Sequence, residues 1–105
     1  MSVVVDNEVI EFEWDEGNYE KNRIKHQVTT QEAEETFADE NKIVFLNIKH
    51  LDKEERFFLI GNTYTHRLLA IAYTRRGNKA RVISARDANK KEVRIYEERT
   101  RSTEI

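Results

Sequence analysis

The sequence contains no cysteine among its 105 residues. This absence excludes disulfide bonds, a thiolate nucleophile and cysteine-ligated zinc. The three histidines, His26, His50 and His66, lie far apart and lack the close spacing that metal-binding pairs show. We therefore predict no bound metal and no other cofactor.

Proline is also absent, and glycine occurs only at positions 17, 61 and 77. No stretch has the composition of a flexible linker. A chain of this length can form one hydrophobic core, whereas two would each bury too little surface. Residues 1–105 are therefore predicted to form a single domain. The sequence also lacks an apolar run long enough to cross a bilayer and a signal-peptide pattern at its start. We expect a cytoplasmic protein with no membrane partner.

The formal net charge is only -2, but its distribution is uneven. Residues 1–55 hold 15 acidic and 6 basic residues, whereas residues 56–105 hold 5 acidic and 12 basic ones. From Arg56 to Lys91 the only acidic residue is Asp87. Such a basic stretch predicts a nucleic-acid partner near the second half of the chain. The alternative is that the two halves neutralise each other as neighbouring surfaces.

Apolar periodicity predicts three helices and a sheet. Residues 3–14 are typical of a β-hairpin or one broken strand, and residues 16–26 of a short exposed helix. Thr29 and Glu32 have the spacing of a capping box that begins a second helix over residues 30–38. Four strands are then predicted over residues 43–49, 55–61, 67–75 and 80–86. A last helix, capped by Asp87, is predicted over residues 88–99.

Short connections between the four strands favour antiparallel neighbours. The predicted fold class is therefore α+β, an antiparallel β-meander with two N-terminal helices and one C-terminal helix. Helices packed on one face of such a sheet would leave its other face partly open. We take that open face as a candidate binding surface.

A series of short patterns follows a characteristic order along residues 12–96. The series comprises Phe12-Glu13-Trp14-Asp15, Asn22, Lys25-His26, Val28, Glu32-Ala33, Phe37, Glu55-Arg56-Phe57, Ile60-Gly61, Leu69, Tyr73-Thr74, the run from Arg81 to Arg86, Ala88, Glu92 and Tyr96. In this order and spacing it resembles the BrnT (DUF497) family of toxins from type II toxin–antitoxin systems. The Ile-Ser-Ala-Arg block at 83–86 is its most telling part.

The resemblance implies a RelE-like fold and an endoribonuclease that cleaves RNA and so inhibits translation. It also implies a BrnA-like ribbon–helix–helix antitoxin as partner, with DNA contacted only through that antitoxin. Asp87 stands where members of the family often have a basic residue. This difference predicts weaker phosphate binding at the neighbouring Arg86.

RNA cleavage without a metal uses the 2′-OH as nucleophile, so the protein must supply a base, an acid and cations around the phosphorane. Arginine suits the last role because its planar fork holds two phosphate oxygens. Histidine suits acid–base work because its pKa lies nearest to neutral. The predicted catalytic residues are His26, Arg56, Arg75 and Arg86, and the predicted RNA-binding residues are Lys25, Arg67, Arg81 and Tyr96.

Strand alternation sets a condition on these residues. Arg81 and Arg86 point to opposite faces of the last strand unless that strand ends or bulges before Arg86. Other interpretations stay open for single residues. Arg86 can pair with Glu92 or Glu97, His26 and Lys25 can simply complement a helix dipole, Tyr96 can lie in the core, and Glu55 can act as the base.

Two other functions are compatible with the sequence. The first is a catalytically weak partner that completes a DNA-binding complex with its antitoxin and represses their shared promoter, which the negative net charge and Asp87 favour. The second is a protein-interaction domain with no nucleic-acid role. Only the basic charge of the second half of the chain argues against a domain with no nucleic-acid role.

Overall fold

A computed structural model of the chain describes residues 2–4, 6–7, 9, 11–15, 26–47 and 55–102. Its β-strands are β1 (Ser2–Val4), β2 (Glu11–Glu13), β3 (Ile43–Asn47), β4 (Glu55–Asn62), β5 (Leu68–Arg76) and β6 (Lys79–Asp87). They form one sheet in the order β1-β3-β4-β5-β6-β2. The two helices seen in this part of the chain are α1 (Thr30–Phe37) and α2 (Lys90–Ser102).

The sheet is mixed, which corrects the prediction of a purely antiparallel one. Strands β3 to β6 form the predicted antiparallel meander. Strand β1 adds to β3 antiparallel, but β2 adds to β6 in parallel. The two opening strands therefore lie at opposite edges of the sheet and form neither the predicted hairpin nor one broken strand. Both edges of the meander offer unpaired backbone groups, and the two short opening strands each satisfy one edge.

Helix α1 begins as predicted. The Thr29 hydroxyl accepts a hydrogen bond from the Glu32 backbone N–H at 3.1 Å, and the Glu32 carboxylate accepts one from the Thr29 N–H at 3.0 Å. This reciprocal capping box confirms the prediction. Of the predicted helix over residues 16–26, only His26 is described, and it is helical; residues 16–25 lie outside the described residues.

Helix α2 begins later than predicted. Strand β6 continues through Asp87, so the prediction that Asp87 caps the helix is wrong. The cap is Asn89, whose side-chain oxygen accepts from the Glu92 N–H while the Glu92 carboxylate accepts from the Asn89 N–H, both at 2.9 Å. Asp87 is unavailable because its carboxylate binds Arg67.

The two helices lie on opposite faces of the sheet, whereas one shared face was expected. Helix α1 lies on what we call the core face, where Phe37 makes an edge contact with Tyr73 at 4.8 Å between ring centroids. The main core cluster, which includes Ala33, Leu59 and Ile71, lies here. Helix α2 lies on the other face, which we call the α2 face. No helix in the described part of the chain is long and apolar enough to cross a membrane.

Candidate active site

Three successive rows of side chains on the α2 face run across the sheet. The first row lies beneath α2, the second is apolar or small, and the third is polar and cationic. The rows are Ile43–Ile60–Ala70–Arg86, Phe45–Phe58–Ala72–Ser84 and Arg56–Thr74–Arg81. Within each row, side chains on neighbouring strands are about 5 Å apart and therefore adjacent.

A bulge in β6 brings Arg81 and Arg86 to the same face. Tyr73 pairs with Val82 but the preceding Ala72 pairs with Ser84, so Ile83 is an extra residue. One extra residue reverses the alternation of every side chain beyond it. The condition set by strand parity is therefore met, although Arg81 and Arg86 stand two rows apart.

The third row borders a groove of about 360 Å³, here called the basic groove, at one end of the α2 face. Arg81 lies between two carboxylates, at 2.5 Å from an oxygen of Asp15 and 3.9 Å from an oxygen of Glu13. Cations outnumber carboxylates along this groove. Its lining consists of Glu13, Asp15, Thr74, Arg76, Lys79 and Arg81.

Arg56 stands beside the basic groove, on the other side of Thr74 from Arg81. Its side chain is exposed and makes no ion pair or hydrogen bond within the described part of the chain. Glu55, the alternative base, pairs in register with Arg75 and thus belongs to the core face. The structure therefore brings together Arg56 and Arg81, but separates Arg56 from the carboxylate next to it in sequence.

Arg75 points to the core face and does not join the other arginines. It donates to the carboxylate of Asp6 at 2.6 Å and lies over the ring of Phe57, 5.3 Å from its centroid. Asp6 also accepts from the Tyr73 hydroxyl at 2.7 Å. Burial, and then the contact with Asp6, raise the pKa of Tyr73. Arg75 therefore lies on the opposite face of the sheet from Arg56, Arg81 and Arg86.

Arg86 pairs with Glu92, which is the structural alternative considered for it. Its two terminal nitrogens donate to the two carboxylate oxygens of Glu92 at 2.8 and 2.9 Å. Burial raises the pKa of Glu92, but the bonds from Arg86 and from the Asn89 backbone outweigh it and lower that pKa. This pair joins the end of β6 to the first turn of α2.

Arg67 uses all five of its N–H groups within the fold. It donates to the Asp87 carboxylate at 2.7 and 3.1 Å, to Glu32 at 3.0 Å, and to the backbone oxygens of Gln27 and His26 at 3.0 and 3.3 Å. Asp87 thus faces Arg67 and not Arg86, which bonds only the Asp87 backbone oxygen. The negative charge predicted to weaken Arg86 is already paired with another arginine.

His26 lies at the Asp87 end of β6, because its backbone carbonyl accepts from the same Arg67 that binds Asp87. Its charge is one of the causes that lower the pKa of Asp87, after the hydrogen bond from Arg67. Arg81 is six residues away along the strand, or roughly 20 Å. His26 is therefore separated from the basic groove. Lys25 lies outside the described residues.

Tyr96 is buried, as its alternative interpretation held, with 8% of its surface exposed. Its hydroxyl donates to Asp39 at 2.7 Å and accepts from the Asn62 side chain at 3.3 Å. Burial, and then the bond to Asp39, raise its pKa to about 12. Tyr96 thereby fastens α2 to the end of β4.

Sequence reasoning missed the two carboxylates of the basic groove. Glu13 and Asp15 alternate with the apolar Phe12 and Trp14, and this alternation was the available signal that both acids face away from the core. Their proximity to Arg81 depends on the parallel pairing of β2 with β6. Within the described residues, no group of three or more histidine, aspartate or glutamate side chains could hold a metal ion.

The chain matches a known protein family. A family model described as "ribonuclease toxin, BrnT, of type II toxin-antitoxin system" matches residues 14–92. The matched segment begins at Trp14, one residue after Glu13 of the basic groove, and ends at Glu92. It contains Arg56, Arg81 and most of the other residues described above, but not Asp6, Glu13 or Tyr96. No curated protein matches the chain.

Proposed function

Because the chain belongs to the BrnT family of ribonuclease toxins of type II toxin–antitoxin systems, we propose that it is an endoribonuclease whose active site is the basic groove. It cleaves RNA without a metal and thereby inhibits translation in the cytoplasm. The observation that carries this assignment is the row Arg56–Thr74–Arg81, in which one arginine stands on each side of a small polar residue.

The spacing of the row suits a phosphate. Neighbouring strands are about 4.8 Å apart, so the backbones of Arg56 and Arg81 are separated by roughly 10 Å. Two long side chains can close that gap over Thr74 and hold an anion between their guanidinium groups. Arg76 and Lys79 add positive charge along the same groove. Preorganised cations of this kind stabilise the charge that develops on a phosphorane.

The groove also offers the acid–base groups of the reaction. In our proposal Glu13 accepts the proton of the 2′-OH as the 2′-oxygen attacks phosphorus, and the bond to the 5′-oxygen breaks. The products are a 2′,3′-cyclic phosphate and a 5′-hydroxyl, whose proton Lys79 can donate. Asp15 acts as a positioning residue, because its short hydrogen bond holds Arg81.

Cleavage with EDTA present tests the proposal. Purified protein should cut single-stranded RNA equally well with and without the chelator. Arg56→Ala and Arg81→Ala should each slow cleavage about 100- to 1000-fold, whereas Arg94→Ala, an exposed arginine on α2, should not. His26→Ala should also retain activity. Loss of cleavage in EDTA, or full activity in both groove variants, would refute the assignment.

Salt dependence gives a second measurement. Each phosphate contact with single-stranded RNA steepens the dependence of log affinity on log salt by about 0.7. Arg56→Ala should lower that slope by about this amount, and Arg94→Ala should leave it unchanged. The comparison separates loss of a phosphate contact from general damage to the fold.

A catalytically weak role is the second candidate. The protein would then bind a BrnA-like ribbon–helix–helix antitoxin, reach DNA only through it, and repress their shared operon. The observations favouring this role are that Glu92 occupies both terminal nitrogens of Arg86 and that His26 is far from the basic groove. Growth arrest on expression of the chain alone, lost in Arg56→Ala, would decide for the ribonuclease. Promoter repression without arrest would decide for the weak partner.

A further inference from the structure

The middle row of the α2 face combines two aromatic rings with two small residues. Phe45 and Phe58 are register partners on β3 and β4, with ring centroids 6.3 Å apart. Ala72 and Ser84 continue the row on β5 and β6. All four side chains are half-buried. Ala72 and Ser84 are small and add little bulk beside Phe58.

The two phenylalanines are not needed to complete the main core. The core cluster and the partly buried side chains packed against it include other phenylalanines, among them Phe37, but neither Phe45 nor Phe58. The cluster lies on the core face, and the register places both rings on the α2 face. The half-buried rings therefore lie between the row beneath α2 and the cationic row.

The chemistry on each side of this row is different. On one side stands the row that α2 covers, in which Ile60 is fully buried. On the other side stand Arg56 and Arg81. Arg56 and Phe58 are two residues apart on β4, so their backbones are separated by about 7 Å. An apolar aromatic surface next to a line of cations matches a nucleotide, whose flat base and charged phosphate are separated by one sugar.

We propose that Phe58, supported by Phe45, forms a nucleobase-stacking subsite for single-stranded RNA. This inference rests on the proposed function, because the phosphate of the same nucleotide lies on Arg56. Aromatic side chains on a sheet surface bind unstacked bases of any type, since every base presents a π face. The charged row beside the rings favours RNA over an apolar protein segment as the occupant.

Fluorescence of a base analogue tests the subsite. The full chain is titrated with short 2′-O-methyl oligonucleotides, which cannot undergo 2′-OH attack, carrying 2-aminopurine or an abasic residue at successive positions. At one position wild type should quench the 2-aminopurine and should bind the base-containing oligonucleotide about 5- to 150-fold more tightly than the abasic one. Phe58→Leu should lose this preference, and Phe58→Trp should keep it.

Phe37→Leu is the matched control, because it makes the same change on the core face. It should retain the preference, and thermal unfolding of both leucine variants shows whether each is folded. A folded Phe58→Leu that still prefers the base overturns the subsite. So does a wild type that binds both oligonucleotides equally while Phe58→Leu loses neutralisation by the antitoxin, since a protein would then occupy this face.

The failure of this inference differs from the failure of the proposed function. If only the subsite is wrong, Arg56→Ala still weakens binding of every oligonucleotide, including the abasic one. If the groove does not bind RNA, Arg56→Ala changes nothing and no base preference exists in any variant.

Discussion

Replacing Arg67 by alanine should destabilise the fold more than any other single arginine change in the described part of the chain. Its guanidinium joins three parts of the structure: the segment at His26 and Gln27, the first turn of α1 at Glu32, and the end of β6 at Asp87. Truncation removes five hydrogen bonds at once and leaves two carboxylates without their shared cation. The polar groups left behind lose partners that water replaces only in part.

The magnitude follows from the exposure of each contact. Hydrogen bonds to charged groups are worth about 1.5–3 kcal/mol when shielded. The Glu32 pair is partly shielded, with side-chain exposures of 28% and 25%, but Asp87 is 65% exposed and solvent screens its pair. We therefore expect a loss of about 2–3 kcal/mol in the free energy of unfolding. For a domain of this size that is roughly a 10 °C lower Tm.

The loss should depend on pH. The hydrogen bond from Arg67 lowers the pKa of Asp87. Burial raises the pKa of Glu32, but bonds from the Thr29 backbone and from Arg67 outweigh it and lower that pKa. A carboxyl group with a lowered pKa stabilises the fold above its unfolded pKa, about 4, and loses that contribution as the pH falls through its folded pKa. The difference between wild type and Arg67→Ala should therefore be full at pH 7 and should shrink below about pH 4.

Urea unfolding followed by circular dichroism at pH 7 and at pH 3 measures both effects. Arg67→Lys keeps the charge but not the planar fork of the guanidinium, so its stability should lie between those of wild type and Arg67→Ala. Arg56→Ala, an exposed arginine, is the control and should change stability by less than about 0.5 kcal/mol. Equal stability of Arg67→Ala and Arg56→Ala at pH 7, or a difference that grows in acid, would refute the reasoning.

Three further changes should affect stability, each measured by the same unfolding experiment. Thr29→Ala removes the capping box of α1 and should cost about 1 kcal/mol, with Thr29→Ser close to wild type. Gly61→Ala places a Cβ 2.9 Å from the backbone oxygen of Thr36 and should cost about 1–3 kcal/mol; no loss would mean that α1 shifts freely. Tyr96→Phe leaves Asp39 without its hydroxyl donor and should cost about 1 kcal/mol, and an unchanged stability would show that water replaces the hydroxyl.

Local sequence patterns determined most of the secondary structure. The four strands of the meander end within two residues of their predicted bounds, because alternation of apolar residues and short polar connections are local properties. The capping box of α1 was predicted for the same reason, since its partners are three residues apart. The cap of α2 was not, because Asp87 is drawn to Arg67, a residue twenty positions away.

The candidate site shows the limit of local patterns more clearly. Composition located the basic stretch, and the order of short motifs identified the family, since both depend only on the order of residues in the sequence. Which arginines share a face depended on the bulge at Ile83 and on the pairing of each cation with a distant acid. Asp6 holds Arg75 on the core face and Glu92 holds Arg86 against α2.

The sequence by itself thus determined the family and the α+β class, because these follow from residue types and their spacing. Only the tertiary structure decided which charged residues share a face of the sheet. The parallel addition of β2 to β6 brings Glu13 to Arg81 across 68 residues of chain, and no local signal encodes a pairing between strands so far apart. Bonds from Arg67 to the carbonyls of His26 and Gln27 hold His26 at the other end of β6.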